Sequence, residues 1–193
     1  MSSFTIHESG MAFGPFPAGQ CFHIERSHCY RQIQNGIQIA EFLLLRRQQA
    51  GTSLWVVEAK SSSPRPETQP GFDGFIEEIR AKLTNAFLLG MAAHLQRHPH
   101  AQKELPADFR SSEFLQHTVR FVLVIHGHKA EWLPPLKDEL SRVMRPLVRT
   151  WGITLVIPHI FDHMDIPRTM SSSRRIPFQI TSFPGGLSFF LAR

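Results

Sequence analysis

Two apolar runs, Ile37 to Leu45 and Leu54 to Val57, stand either side of the polar stretch Arg46-Arg47-Gln48-Gln49-Ala50-Gly51-Thr52-Ser53. Short apolar runs joined by a glycine-containing polar stretch predict a β-hairpin. The second strand runs on through Glu58-Ala59-Lys60. Ser61-Ser62-Ser63-Pro64-Arg65-Pro66 then ends it, because each proline removes a backbone donor and restricts the residue before it. From Asp73 to Arg97 the apolar positions Ile76, Ile79, Leu83, Phe87, Met91 and Leu95 recur at helical spacing, and His98-Pro99 closes the run. Val119 to Ile125 is apolar at almost every position, as expected of a central strand covered on both faces. A second helix is predicted from Pro135 to Thr150, ended by Gly152, and Ile153 to Ile157 predicts another buried strand. Upstream, Cys21 to Ile24 predicts a short strand, and Ser27 a cap for a helical turn carrying Tyr30 and Ile33. Residues 1–19, rich in Gly, Pro and Phe without a period, read as an irregular arm, and residues 100–117 as a polar connection.

The order strand, strand, strand, helix, strand, helix, strand predicts an α/β fold, a mixed β-sheet flanked by helices. The 193 residues read as a single domain with its core at 20–158 and a C-terminal extension at 159–193. Composition adds exclusions: 42% hydrophobic and 19% charged residues, with 12 Gly and 14 Pro, rule out disorder, collagen and coiled coil for the whole chain. No apolar run reaches the ~18 residues of a membrane helix, and Met1-Ser2-Ser3-Phe4 lacks the start of a signal peptide, so a cytoplasmic protein without a membrane partner is expected. Cys21 and Cys29, the only cysteines, read as small buried hydrophobes. Charge changes the picture more. Lys and Arg total 21 against 16 acids, a net +5, with 16 arginines to 5 lysines, and the planar arginine fork suits a phosphate-bearing polyanion.

The chemistry concentrates on the predicted hairpin. Alternation puts Glu58 and Lys60 on the face of Leu54 and Val56, and charges on a buried strand are costly unless paired or liganded. A four-residue loop at Gln48 to Gly51 makes opposed residue numbers sum to 99, which sets Glu41 across from Glu58, and any odd sum keeps the two on one face. Glu41 also interrupts an apolar run. Two bare carboxylates at ~4 Å would repel by roughly 4 kcal/mol at an effective dielectric of 20. A shared proton or a divalent cation relieves that repulsion, and carboxylates with a main-chain carbonyl and water are ligands that Mg²⁺ accepts.

At these residues the chain resembles the PD-(D/E)xK phosphodiesterase superfamily, with its restriction-endonuclease-like fold. Glu41 matches the first acid, Glu58 the second and Lys60 the lysine, and the predicted element order matches the family core. Ala40-Glu41 stands where the family usually has Pro-Asp, and Glu25 is the one acid before the hairpin that matches a further family glutamate. The resemblance implies a Mg²⁺- or Mn²⁺-dependent nuclease, a hydrolase of DNA phosphodiester bonds. Glu41, Glu58 and Lys60 would be catalytic, and Glu41, Glu58, the carbonyl of Ala59 and the candidate Glu25 would hold metal. Arg46, Arg47, Arg65 and Lys82 would bind the nucleic-acid phosphates. DNA stands ahead of RNA as the partner, and a second copy of the chain is a further candidate for a homodimer. The alternative is a catalytically inactive nucleic-acid- or protein-binding module on the same fold. A third reading, a zinc site from His126, His128, His159 and His163 at the ends of two strands, has no H-E-x-x-H motif behind it.

Overall fold

The computed structural model describes residues 2–48, 51–126 and 129–156. His128, His159 and His163, and the extension at 159–193, lie outside the described residues. The chain opens with β1 (Ser3–Glu8) and β2 (Met11–Pro17), an antiparallel pair, so the expected irregular arm is a β-hairpin. Its turn is Ser9-Gly10, both at positive φ (52° and 75°), the geometry of the two-residue turns that match strand twist. Farther along, Gly14 sits at φ 125°, and a Cβ there would come within 2.9 Å of the Phe4 carbonyl oxygen, so only glycine fits.

The short strand β3 (Cys21–Phe22) leads to the helical turn α1 (His28–Arg31), capped as expected by Ser27, whose hydroxyl accepts from the Tyr30 N–H at 3.0 Å. Next come β4 (Phe42–Gln48), β5 (Gly51–Lys60), the long helix α2 (Gly71–His94) and a short α3 (Ala101–Glu104). The connection at 100–117 is thus partly helical, with 3-10 turns at Ala107–Arg110 and Ser112–Gln116. β6 (Thr118–Ile125), α4 (Leu133–Trp151) and β7 (Thr154–Val156) complete the described chain. The five-stranded sheet has the order β3-β4-β5-β6-β7. It is mixed: β3, β4 and β5 run antiparallel, whereas β5, β6 and β7 are parallel, with α2 and α4 as the crossover helices that parallel neighbours require.

The β4–β5 register sums to 99, from Phe42↔Val57 to Gln48↔Gly51. Gln48 and Gly51 are themselves paired, so the connection is shorter than the expected four-residue loop, while the sum, and with it the facing of each residue, is unchanged. One face carries Leu43, Leu45, Leu54, Val56, Phe121 and Leu123 against Ile79, Leu83 and Phe87 of α2 and Leu136 and Leu140 of α4. The other carries Phe42, Leu44, Trp55, Val57, Val122 and Val124 beneath Ile6, Phe13 and Phe16 of the N-terminal hairpin. Phe42 meets Phe13 and Phe16 with ring centroids 5.4 and 5.5 Å apart. Two covered faces are what the apolar run Phe121 to Ile125 of β6 demands.

Helix α2 lies close on β4. A Cβ at Gly90 would come within 2.5 Å of Leu43 Cδ1, so the missing side chain lets the helix approach. Farther up α2, the Ala40 N–H donates to the Lys82 carbonyl at 3.2 Å, and the Asn85 amide donates to the Gln38 carbonyl at 2.8 Å. These bonds hold the segment entering β4 against the middle of the helix. No helix among the described residues is long and apolar enough to cross a membrane.

Candidate functional site

Parity places Glu41, Glu58 and Lys60 on the α2 face of the sheet, together with Leu43 and Val56. Glu41 stands one residue before β4, its N–H donating to the Val57 carbonyl at 3.1 Å. Glu58 is 0% exposed and Glu41 5%. Helix α2 lowers two charged side chains onto them. Lys82 Nζ donates to Glu58 Oε1 at 2.9 Å and lies 4.0 Å from Glu41 Oε1. Lys60 Nζ lies 3.3 Å from Glu58 Oε1 and donates to Glu78 of α2. One oxygen of Glu58 thus receives both ammonium groups. The other, Glu58 Oε2, is buried without a hydrogen-bond partner, and so is Glu41 Oε2.

A carboxylate oxygen sealed from water with nothing to accept is costly. Burial pushes both acids above the ordinary carboxylate range. At Glu58, burial outweighs the opposing pull of Lys82 and Lys60. At Glu41, burial comes first, then a hydrogen bond with Glu25 and the charges of Glu58 and Glu25, with only Lys82 opposing; the Glu41 carboxyl is held up to about 8. Burial alone would lower Lys82, but the Glu58 and Glu41 carboxylates outweigh it and raise the ammonium. A proton on Glu41 is one way to quiet this cluster. A divalent cation taking the two free oxygens is the other, and the donor set fits: hard carboxylate oxygens of the kind Mg²⁺ and Mn²⁺ select.

The remaining expected residues are distributed as follows. Glu25 adjoins the cluster, its N–H donating to the Glu41 carbonyl at 3.3 Å and its carboxyl near enough to raise that of Glu41. The Ala59 carbonyl accepts from the Ser9 hydroxyl at 2.9 Å, which occupies one of its two lone pairs. Lys82, expected to reach phosphate, is spent on Glu58 and Glu41, so its charge is internal. Arg46 and Arg47 stand at the far end of the hairpin, opposite Ser53 and Thr52, with the Arg46 guanidinium 4.5 Å from the Trp55 ring and Arg47 paired to Asp108 at 3.2 Å. Arg65 follows the Lys60 end of β5, over the Trp132 ring at 5.5 Å. Glu78, Ser9, Glu8 and His23 went unnoticed in the sequence. Glu78 had a signal, because it lies four residues before Lys82 on a helix whose Ile79 and Leu83 face the sheet.

No protein-family model, no curated protein and no solved structure matches the chain.

Proposed function

We propose that the chain is a Mg²⁺-dependent phosphodiesterase of the PD-(D/E)xK, restriction-endonuclease-like kind, hydrolysing DNA. The observation that carries this reading is the pair of buried, unpartnered oxygens Glu41 Oε2 and Glu58 Oε2, set on adjacent strand ends beside Lys60. Glu41 and Glu58 would hold the cation, with Glu25, which acts on the Glu41 carboxyl, and the Ala59 carbonyl as the further expected ligands. When bound, Mg²⁺ supplies a more acidic water and offsets negative charge on the phosphate. In the reaction a water oxygen bonds to phosphorus, the bond from phosphorus to a sugar oxygen breaks, and the leaving oxygen takes a proton. Lys60 holds that water by hydrogen bonding and its charge favours the more anionic transition state. Glu78 positions Lys60 through their ion pair. Arg65, at the same end of β5, is the arginine best situated to meet the phosphate backbone, and such a contact positions the strand without reading its sequence.

Purified protein is expected to nick plasmid or degrade single-stranded DNA with Mg²⁺ or Mn²⁺ and to stop on addition of EDTA. Glu58→Gln and Lys60→Ala should each lower the rate at least about 100-fold while circular dichroism shows a folded chain. DNA retained on a filter without turnover in either metal would replace the enzyme by a catalytically inactive binding module. That outcome has one observation in its favour: the salt bridges of Glu58 to both Lys82 and Lys60 partly satisfy the site without any cation.

A further inference from the structure

The Ser9-Gly10 turn of the N-terminal hairpin brings Glu8 beside two residues that follow β3, His23 and Glu25. One potential ligand atom from each of the three lies within 4.8 Å of those of the other two. Glu8 Oε1 is 3.7 Å from His23 Nε2 and accepts from Arg26 at 3.1 Å. His23 Nε2 is buried and has no hydrogen-bond partner. On the inner side, the Glu25 N–H donates to the carbonyl of Glu41 at 3.3 Å, and the Glu41 side chain is 7% exposed with its Oε2 likewise unpartnered. An imidazole nitrogen and a carboxylate oxygen, both sealed off and both unsatisfied, thus flank the same glutamate.

A plain ion pair between Glu8 and an imidazolium would account for part of this arrangement. Arg26 argues against it, since it already takes Glu8 Oε1 at 3.1 Å, while His23 Nε2 stands 3.7 Å from that oxygen, too far for a hydrogen bond. The buried, unpartnered Nε2 is a nitrogen that a cation can take. Ligands about 2.1 Å from a tetrahedral ion sit about 3.4 Å from one another, so short side-chain rotations of the glutamates close the remaining gap.

We infer that Glu8, His23 and Glu25 form a binding site for a borderline divalent transition cation, Zn²⁺ ahead of Mn²⁺, with Glu41 at its inner edge. An imidazole among carboxylates selects such ions over Mg²⁺, and zinc binds above manganese in the general order of affinities. The site spans two parts of the chain, tying the hairpin turn to the segment after β3. Ser9, the next residue in that turn, donates to the Ala59 carbonyl, so an occupied site fixes the hydroxyl that covers this carbonyl. The site borders the proposed Mg²⁺ cluster through Glu25 and Glu41, but it requires neither Glu58 nor turnover.

The test is isothermal titration of ZnCl₂ into the full 193-residue chain, comparing wild type with Glu8→Gln, His23→Gln and Glu58→Gln. One tight equivalent is expected in wild type and in Glu58→Gln, and it should be lost or weakened at least about 10-fold in Glu8→Gln and His23→Gln. On wild type alone, Zn²⁺ should slow amide exchange across residues 3–17 where equal Mg²⁺ does not, a readout that survives if either variant fails to fold. Zinc isotherms unchanged by both substitutions, or no protection of the hairpin, would overturn the inference. Loss of DNA cleavage in Glu58→Gln with its zinc equivalent intact separates the two sites.

Discussion

Replacing Lys82 by methionine is expected to cost about 3 to 5 kcal/mol of stability in metal-free buffer at pH 8, the loss that follows when one partner is removed from a buried charge pair. Methionine keeps most of the length and apolar stem of the side chain, so the loss measures the ammonium. Among the described residues Lys82 is the one cation within 4.0 Å of Glu41, and it also holds Glu58 at 2.9 Å. Without it two carboxyls share a buried space with only Lys60 on one of their oxygens. The deficit should shrink as the pH is lowered to 5, where protons can take the place of the lost cation. It should also shrink on adding Mg²⁺ or Mn²⁺, which meets less repulsion once the ammonium is gone. Urea unfolding at the two pH values, with and without metal, reads all three effects. A solvated phosphate-binding lysine would behave otherwise, with a loss under about 1 kcal/mol that neither pH nor metal changes.

Glu41→Gln should act in the opposite direction. The Glu41 carboxyl is held up to about 8, against an ordinary value of 4.5, by burial, by Glu25 and by Glu58. Between those two values the folded chain keeps a proton that the unfolded chain releases, so this group makes stability fall as the pH rises through that window. The full penalty is present above the folded value and absent below the unfolded one, and it amounts to a few kcal/mol at most. Glutamine preserves the shape and removes the titration. Metal-free Glu41→Gln should therefore match or exceed the wild type at pH 8, lose the downward slope between pH 5 and 8, and respond much less than the wild type to divalent metal, which stabilises by mass action wherever it binds the native state alone. A variant clearly less stable than wild type at pH 8 would mean that the Glu41 charge serves Lys82 as a structural partner.

The centre of this site is legible in the sequence because sheet facing has a period of two. Glu41 breaks one apolar run and Glu58 ends another, and any odd register puts them on one face; the error in loop length left the sum of 99 intact. Lys82 was visible but misjudged, since a lysine on a helix reads as solvated until the neighbouring turns are placed. Its neighbours Ile79 and Ala86, three before and four after, both face the core, and that was the available signal. The N-terminal hairpin escaped for a different reason. Phe4, Ile6, Met11 and Phe13 alternate around Ser9-Gly10, but Gly14-Pro15 and the register shift between Phe4 and Ile6 break the pattern before it repeats. With the hairpin unread, Glu8 and Ser9 had no place near the carboxylates. Only the tertiary approach of that turn to β5 shows that Ser9 covers the Ala59 carbonyl.

Whether Glu41 and Glu58 together hold a divalent cation is decided by anomalous scattering from crystals of the wild-type chain soaked in Mn²⁺. The expected result is a manganese peak in direct contact with Glu41 Oε2 and Glu58 Oε2, the two oxygens now without a partner. A peak at Glu8, His23 and Glu25 alone would not count toward it, because that is the zinc site inferred above, which lacks Glu58. No density between Glu41 and Glu58 at saturating Mn²⁺, with Lys82 still bridging toward both carboxylates, would rule out a shared cation and leave the cluster as a buried salt-bridge network.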